Sequence, residues 1–213
     1  MTSYGVTFDI ERPESYDRMQ VVIRILIIVV ASILAGALGW ISCALYLAVP
    51  VLAAILISQK GAATYFAESE QNMTLWLRYV IAIYAYLGLL TDKLPNEDPR
   101  QTMRFDVTPS GEPTTGGVLV RIITVIPHAI VLALLGVVAA ILIVVAAIMI
   151  LVNESFPEGI YGYLRGYLRW QARVYAYLAG LVQEYPPFAF DTGTEGTGAP
   201  RLRSGEGSES PAP

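Results

Sequence analysis

Charge is scarce in this chain, and that scarcity excludes more than any motif does. Of 213 residues only 15% are charged, against 54% hydrophobic, and the mean hydropathy is +0.53. A soluble domain carries about 25% charged residues. A single cysteine, Cys43, excludes an intramolecular disulfide framework and any multi-cysteine metal site. It lies in an apolar run, where it reads as a small buried hydrophobe. Lysine is nearly absent: Lys60 and Lys93 are the only two. The formal net charge of -4 leaves no overall basic field, so nucleic acid is not an expected partner. No phosphate-binding glycine loop, nucleophile elbow or paired His–Glu zinc motif occurs. No acidic residue in the apolar runs is placed to relay protons or sodium. Nothing in the sequence therefore argues for an enzyme, a cofactor or a metal.

What is present is apolar length. Ile25 to Gln59 contains no charged residue, nor does Ile122 to Asn153. Each run exceeds the roughly 20 residues that span a bilayer. A straight helix of about 35 residues would measure about 52 Å, too long for a core about 30 Å thick. Splitting each run at Gly39 and Gly136 gives two legs just long enough to cross, and glycine permits the turn. The alternative is that both are ordinary small residues in long helices. Ala35-Gly36-Ala37 resembles a signal cleavage site, but the polar, acid-containing stretch before the run makes a poor n-region, so the segment is read as retained. With two hairpins, Arg12, Arg18 and Arg24, the basic residues from Lys60 to Arg121, and those from Arg165 onward all share one face. The positive-inside rule makes that face cytoplasmic. The expectation is a multi-pass protein of the bacterial inner membrane with cytoplasmic termini. Pro50 and Pro127 would kink the runs.

The chain also repeats itself. Phe8-Asp9 returns 97 positions on as Phe105-Asp106, Arg24-Ile25 as Arg121-Ile122, and Gly39 as Gly136. Tyr84-Ala85-Tyr86-Leu87 returns 91 positions on as Tyr175-Ala176-Tyr177-Leu178, with Leu77-Arg78 on Leu168-Arg169. The fold class expected is an all-α membrane protein of two tandem helical-hairpin repeats, about four transmembrane segments. Each hairpin is followed by an interfacial amphipathic helix, with short β-strands on the cytoplasmic side. The first repeat occupies 1–97, with its hairpin at 21–58 and its interfacial helix at 74–91. The second occupies 98–188, with its hairpin at 118–152 and its interfacial helix at 159–185. The alternating segments Val6–Ile10 and Met103–Val107 read as strands. Residues 192–213, rich in Gly, Ser, Glu and Pro, read as disordered.

In the second interfacial helix Arg165, Arg169 and Arg173 fall four apart in a narrow stripe, flanked by Tyr167 and Trp170. Such a helix suits the headgroup level. Its arginines, with Arg78 in the first copy, are candidates to hold anionic lipid phosphate or a partner protein. The alternative is a solvated stripe on a helix that caps the bundle. Arg24 and Arg121 either snorkel to headgroups or pair with the carboxylates of Asp9 and Asp106. His128, the only histidine, lacks companion ligands and reads as a hydrogen-bonded packing residue.

The string from Arg121 through Pro127-His128 to Leu132, with Tyr163 to Tyr177 and Tyr185-Pro186-Pro187-Phe188, resembles a bacterial membrane family catalogued only as a domain of unknown function (DUF4389). The resemblance is clear over 118–188 and looser in the first copy, which lacks the Ile-Pro-His and Tyr-Pro-Pro-Phe strings. It implies membrane residence and brings no activity. The function expected is a non-catalytic membrane adaptor or scaffold, binding lipid, a partner membrane protein or further copies of itself. The alternatives are a small transporter or channel framed by the repeats, and an interfacial lipid-modifying enzyme using His128 or the arginines.

Overall fold

The computed structural model describes residues 5–10, 13, 16–35, 38–69, 71–93, 99–101 and 103–191, with the side chains of 27–40, 42 and 101 left aside. The expected disordered tail 192–213, Arg12, and the Gly36-Ala37 pair lie outside the described residues. The described chain is mostly helical with one small sheet. In order it runs β1 (Val6–Ile10), α1 (Arg18–Ala35), α2 (Leu38–Lys60), α3 (Ala62–Ala67), α4 (Met73–Leu87), β2 (Met103–Val107), α5 (Thr115–Thr124), α6 (Ile126–Asn153) and α7 (Glu158–Leu178).

The two alternating segments form the expected strands. They pair antiparallel with Phe8 opposite Phe105 and Asp9 opposite Arg104. Because strand side chains alternate, Val6, Phe8, Ile10, Met103 and Phe105 turn inward and are buried. Arg104 and Asp106 turn outward, with 76% and 54% of their side chains exposed.

The second apolar run does not turn at Gly136. That residue lies inside α6, a single helix of 28 residues, and the expected hairpin at 118–152 is corrected accordingly. An apolar stretch carries no local signal for a turn, and one glycine costs a helix only about 1 kcal/mol. The interruption falls at Val125, just before Pro127, whose ring cannot donate to the preceding turn. The ladder nearly continues across it, with Val125 N bonded to Arg121 O and Ala129 N to Val125 O. The first run, by contrast, does divide next to its glycine: α1 ends at Ala35 and α2 begins at Leu38, so Gly39 is the second residue of α2. Thr114 caps α5, its hydroxyl accepting from Gly117 N at 3.1 Å.

The helices stack in layers under the sheet. Along α7, Tyr161, Arg165 and Arg169 face β1, through bonds and ion pairs to Ile10 and Asp9. Tyr163, Trp170 and Tyr177 face the other way, onto Leu135, His128 and Thr124 of α5 and α6. At one end of the outer layer Arg18 of α1 meets Glu154 after α6 at 2.8 Å. At the other, Ile57 of α2 and Val118 of α5 converge on Gly180. α2 and α6 are long and apolar enough to cross a membrane, and only 28% and 22% of their apolar windows are buried within the protein.

α7 was expected to lie at a surface with its arginines outward. Instead it is the middle layer, covered by the sheet on one side and by α6 on the other, and Arg169 and Arg173 are buried.

Candidate functional site

The polar chemistry of the chain gathers where α4 and α7 meet the sheet. Arg169 Nε donates to Phe8 O at 2.9 Å, and its Nη2 donates to Asp9 Oδ1 at 2.9 Å. Arg78 Nε donates to Phe105 O at 2.8 Å, and its Nη2 reaches Asp106 Oδ1 at 3.3 Å. Each guanidinium thus spans a backbone carbonyl and the next residue's carboxylate, which its planar fork suits. The carbonyls of Phe8 and Phe105 are thereby covered along the edges of a two-stranded sheet, where open edges invite pairing with other chains. Tyr161 Oη covers Ile10 O in the same way, at 3.2 Å. Around the first clamp Arg165 lies 3.8 Å from Asp9, and Asp191 lies 3.7 Å from Arg169. Around the second, Arg104 Nε bonds Asp106 at 2.8 Å.

Arg24 and Arg121 do not pair with Asp9 or Asp106. Arg24, fully buried, bonds Thr91 O and Asp92 Oδ1, each at 2.7 Å, and its guanidinium lies 4.1 Å from the Tyr86 ring. Arg121 bonds the carbonyls of Tyr177 and Val182, and lies 4.5 Å from the Tyr177 ring. Both therefore reach inward, onto the C-terminal ends of α4 and α7, where carbonyls lack helical partners. Tyr86 and Thr91 fall on Tyr177 and Val182 at the 91-position offset, whereas Asp92 falls on Gln183. The helices end alike: Leu89 and Gly180 both have positive φ, and Leu90 N and Leu181 N reach back to Ala85 O and Ala176 O.

His128 is buried in an aromatic cluster. Its Nδ1 accepts from Trp170 Nε1 at 3.0 Å, so the ring is the neutral tautomer with its proton on Nε2. Phe188 stacks on it at 4.0 Å, and Tyr185 lies at 4.7 Å. Tyr185 Oη donates to Thr124 O, and Arg173 donates to Ala189 O. Phe190 sits against Gly166, where a Cβ would come within 2.8 Å of its Cβ. The chain from Tyr185 to Asp191 is in this way strapped across α6 and α7. His128 thus accepts one hydrogen bond and packs among aromatic rings.

Hydroxyls fill much of the layer between α2, α4 and α7. Gln171 Nε2 donates to Tyr175 Oη at 3.2 Å. Burial raises Tyr175 well above its ordinary 10.0, and Tyr84 and Tyr46 raise it further. Burial pushes Tyr167 up to about 12, with smaller contributions from Tyr84 and Tyr163. Tyr65 rises through burial, against the opposing pull of Arg121. A cavity of about 140 Å³ opens beside Thr114, Gly117, Arg121 and Gln183. It is smaller than the 300 to 1,000 Å³ typical of ligand pockets.

The structure thus joins Arg78 with Asp106, and Arg165 and Arg169 with Asp9. It places His128 with Trp170, and Tyr167 against Gly136, whose Cβ position is 3.0 Å from Tyr167 Oη. Reasoning from sequence missed Thr91 and Asp92. The 91-position offset that links Tyr86 to Tyr177 puts Thr91 on Val182 and Asp92 on Gln183, so self-comparison marked neither. Residues 116–189 match a family described as a domain of unknown function, DUF4389. No curated protein matches the chain, and no solved structure does.

Proposed function

We propose that this chain is a non-catalytic membrane scaffold made of two copies of one unit, each copy's arginine helix holding the other copy's strand. The observation that carries the membrane part is the outer face of α6. Ile130, Leu134, Val137, Ile141, Val144, Ile148 and Val152 are all exposed there at helical spacing. Leu47, Val51, Leu52 and Ile55 continue the exposure on α2. An apolar face of this extent is not tolerated in water and marks a lipid or protein contact. Support for the two-copy reading is the recurrence of four contacts at the two sequence offsets: both strand clamps and both arginine–tyrosine stacks.

Scaffolding, in preference to lipid capture by the arginine stripe, follows from where the guanidinium groups are engaged. Those of Arg78, Arg169 and Arg173 are bound to carbonyls and carboxylates of the chain itself. The ion-paired groups that also stay partly exposed, and so can meet a partner, are Arg104, Asp106, Asp9, Arg165 and Asp191 around the sheet. The test is to wash membranes containing the protein with high salt and alkaline carbonate, then assay solute flux in reconstituted liposomes. Retention after both washes, with flux no greater than in empty vesicles, is the expected result. Release by carbonate would remove the membrane reading, and specific flux would favour a transporter.

A further inference from the structure

We propose that α2 and α6 lie in the plane of the membrane, immersed in one leaflet, and that the protein does not cross the bilayer through them. This rests on the membrane reading above and adds an orientation to it. Thr124, His128 and Leu135 are bonded to Tyr177, Trp170 and Tyr163, so α7 runs antiparallel beside α5 and the first part of α6. Arg169 on the opposite face of α7 holds Asp9. The ionic sheet is therefore level with the His128–Leu135 stretch of α6, one helix diameter away from it.

The apolar faces extend beyond the sheet in both directions. α6 continues past Leu135 to Glu154, where Arg18 meets it. α2 reaches Ile57 at the opposite end, beside Val118 and Gly180. From Val118 to Glu154 the nearly continuous α5–α6 rod is on the order of 50 Å long at 1.5 Å per residue. Hydrocarbon about 30 Å thick cannot cover both ends of that rod held upright. Centred on it, a bilayer would immerse Asp9, Arg104, Asp106 and Asp191 at hydrocarbon depth, where exposed charges are strongly unfavourable. Shifted toward Glu154, it would leave Leu47, Val51 and Ile55 of α2 in water.

Laid flat, the same molecule puts the apolar faces of α2 and α6 in hydrocarbon and the charged sheet in water. The outer faces of α2 and α6 carry no charge between Cys43 and Gln59 or between Ile126 and Asn153. They form one side of a slab, the buried α4–α7 layer forms its middle, and the charged sheet forms the water-facing side. Arg18, Glu154 and Lys60 then sit at the two ends of the slab, where the apolar faces stop. A leaflet is the occupant that fits an uncharged face of this length, since in-plane helices bury their apolar side about 5–10 Å into the headgroup–acyl boundary.

The test is a depth profile on the full chain in phospholipid vesicles. In a Cys43→Ala background, single cysteines replace Ile130, Val137, Val144 and Val152 on α6, and Leu47 and Ile55 on α2. Each carries a nitroxide, whose depth is read from its relative collisions with oxygen and with a polar nickel chelate. All six labels at one shallow depth, within about 5 Å of each other, is the expected result. A steady change from Ile130 to Val152, approaching 30 Å, would mean that α6 crosses and would overturn the proposal while leaving the membrane reading intact. Full access of every label to the nickel chelate would overturn both. Labels shielded from oxygen and chelate alike would mean that protein, such as a second copy, covers the face, and would also overturn the proposal.

Discussion

The Nε of Arg169 donates to the carbonyl of Phe8, 161 residues away in the chain, at 2.9 Å. Arg78 makes the matching bond to Phe105. Each arginine also reaches the aspartate that follows its phenylalanine. Two strands of five residues each have too few ladder bonds to persist alone in water. Their persistence here depends on the buried faces of Phe8 and Phe105 and on the two guanidinium clamps. Since β1 is gripped by α7 and β2 by α4, neither part of the chain completes its own sheet.

Removing one clamp should loosen both strands. Arg169→Ala leaves Phe8 O without its partner and strips a packed side chain, at a cost of about 3 kcal/mol. Arg169→Lys should recover less than half of this, because an ammonium cannot hold carbonyl and carboxylate in one plane. Arg78→Ala should behave alike, and the double variant should cost less than the sum, since both substitutions release the same sheet. Thermal unfolding of the four proteins in detergent measures this. Equal stability of Arg169→Lys and the parent would contradict the fork geometry.

Trp170→Phe keeps the ring and removes the donor. His128 Nδ1 would then be a buried acceptor without a partner, costing about 1–3 kcal/mol. Trp170→Phe combined with His128→Phe removes both polar groups and should be more stable than Trp170→Phe alone. Chemical unfolding of the three variants decides it. A double variant weaker than the single would show that the histidine ring does more than accept this bond.

The strands and the four matching pairs of residues were legible in the sequence because alternation and offset are local or self-comparing signals. Which arginine holds which strand was not. A chain with two similar copies is equally consistent with Arg78 taking Phe8 and with Arg78 taking Phe105, and only packing distinguishes them. The turn expected at Gly136 failed for a different reason. A turn at Gly136 shortens the run only if its helix stands along the bilayer normal, whereas the run breaks at Val125 and continues through Gly136 as α6. The arginine stripe of α7 was visible as a stripe, but the sequence could not show that the sheet would cover it. Asp92 escaped notice because Gln183 stands at its counterpart.

Gly136 of α6 and Gly166 of α7 should respond differently to alanine. At Gly136 the new Cβ meets only the far end of Tyr167, at 3.0 Å. That side chain can shift, and alanine's helix preference of about 1 kcal/mol offsets the crowding, so little change in stability is expected. At Gly166 the new Cβ would lie 2.8 Å from Phe190 Cβ and 3.0 Å from its Cγ. The strap must then lift, at about 1–3 kcal/mol. Limited proteolysis between Tyr185 and Asp191 should accelerate in Gly166→Ala and not in Gly136→Ala.

Alkaline pH should unfold the protein through its tyrosines. Burial holds Tyr65 and Tyr175 above 10.0 in the folded chain, while the unfolded phenols titrate near 10. Below pH 10 neither state is ionised and their contribution is constant. Above it the unfolded state loses protons first, so stability falls as pH rises. Phenolate absorbance and helical circular dichroism should therefore change together above pH 10. Phenylalanine at positions 65 and 175 should move the transition upward, after correction for the hydroxyl bonds lost. Phenolate absorbance developing fully while helicity stays constant would show that these phenols are not held neutral by the fold.

Leu89 occupies the left-handed position that ends α4, at φ 62, where its counterpart is Gly180 at φ 74. Left-handed backbone costs a leucine roughly 1–2 kcal/mol, so Leu89→Gly relieves strain. The same side chain is 2% exposed and packed in the core, and losing a buried leucine costs about 2–5 kcal/mol. The packing loss is the larger, so Leu89→Gly is expected to destabilise despite restoring the residue the backbone favours. Gly180→Ala faces both problems in the other direction, since its Cβ would meet Val118 Cγ2 at 2.8 Å in a left-handed conformation. It should be destabilising with no compensating gain. Midpoints of chemical unfolding for the two variants test this, and a Leu89→Gly protein more stable than the parent would mean that strain, not packing, dominates the end of α4.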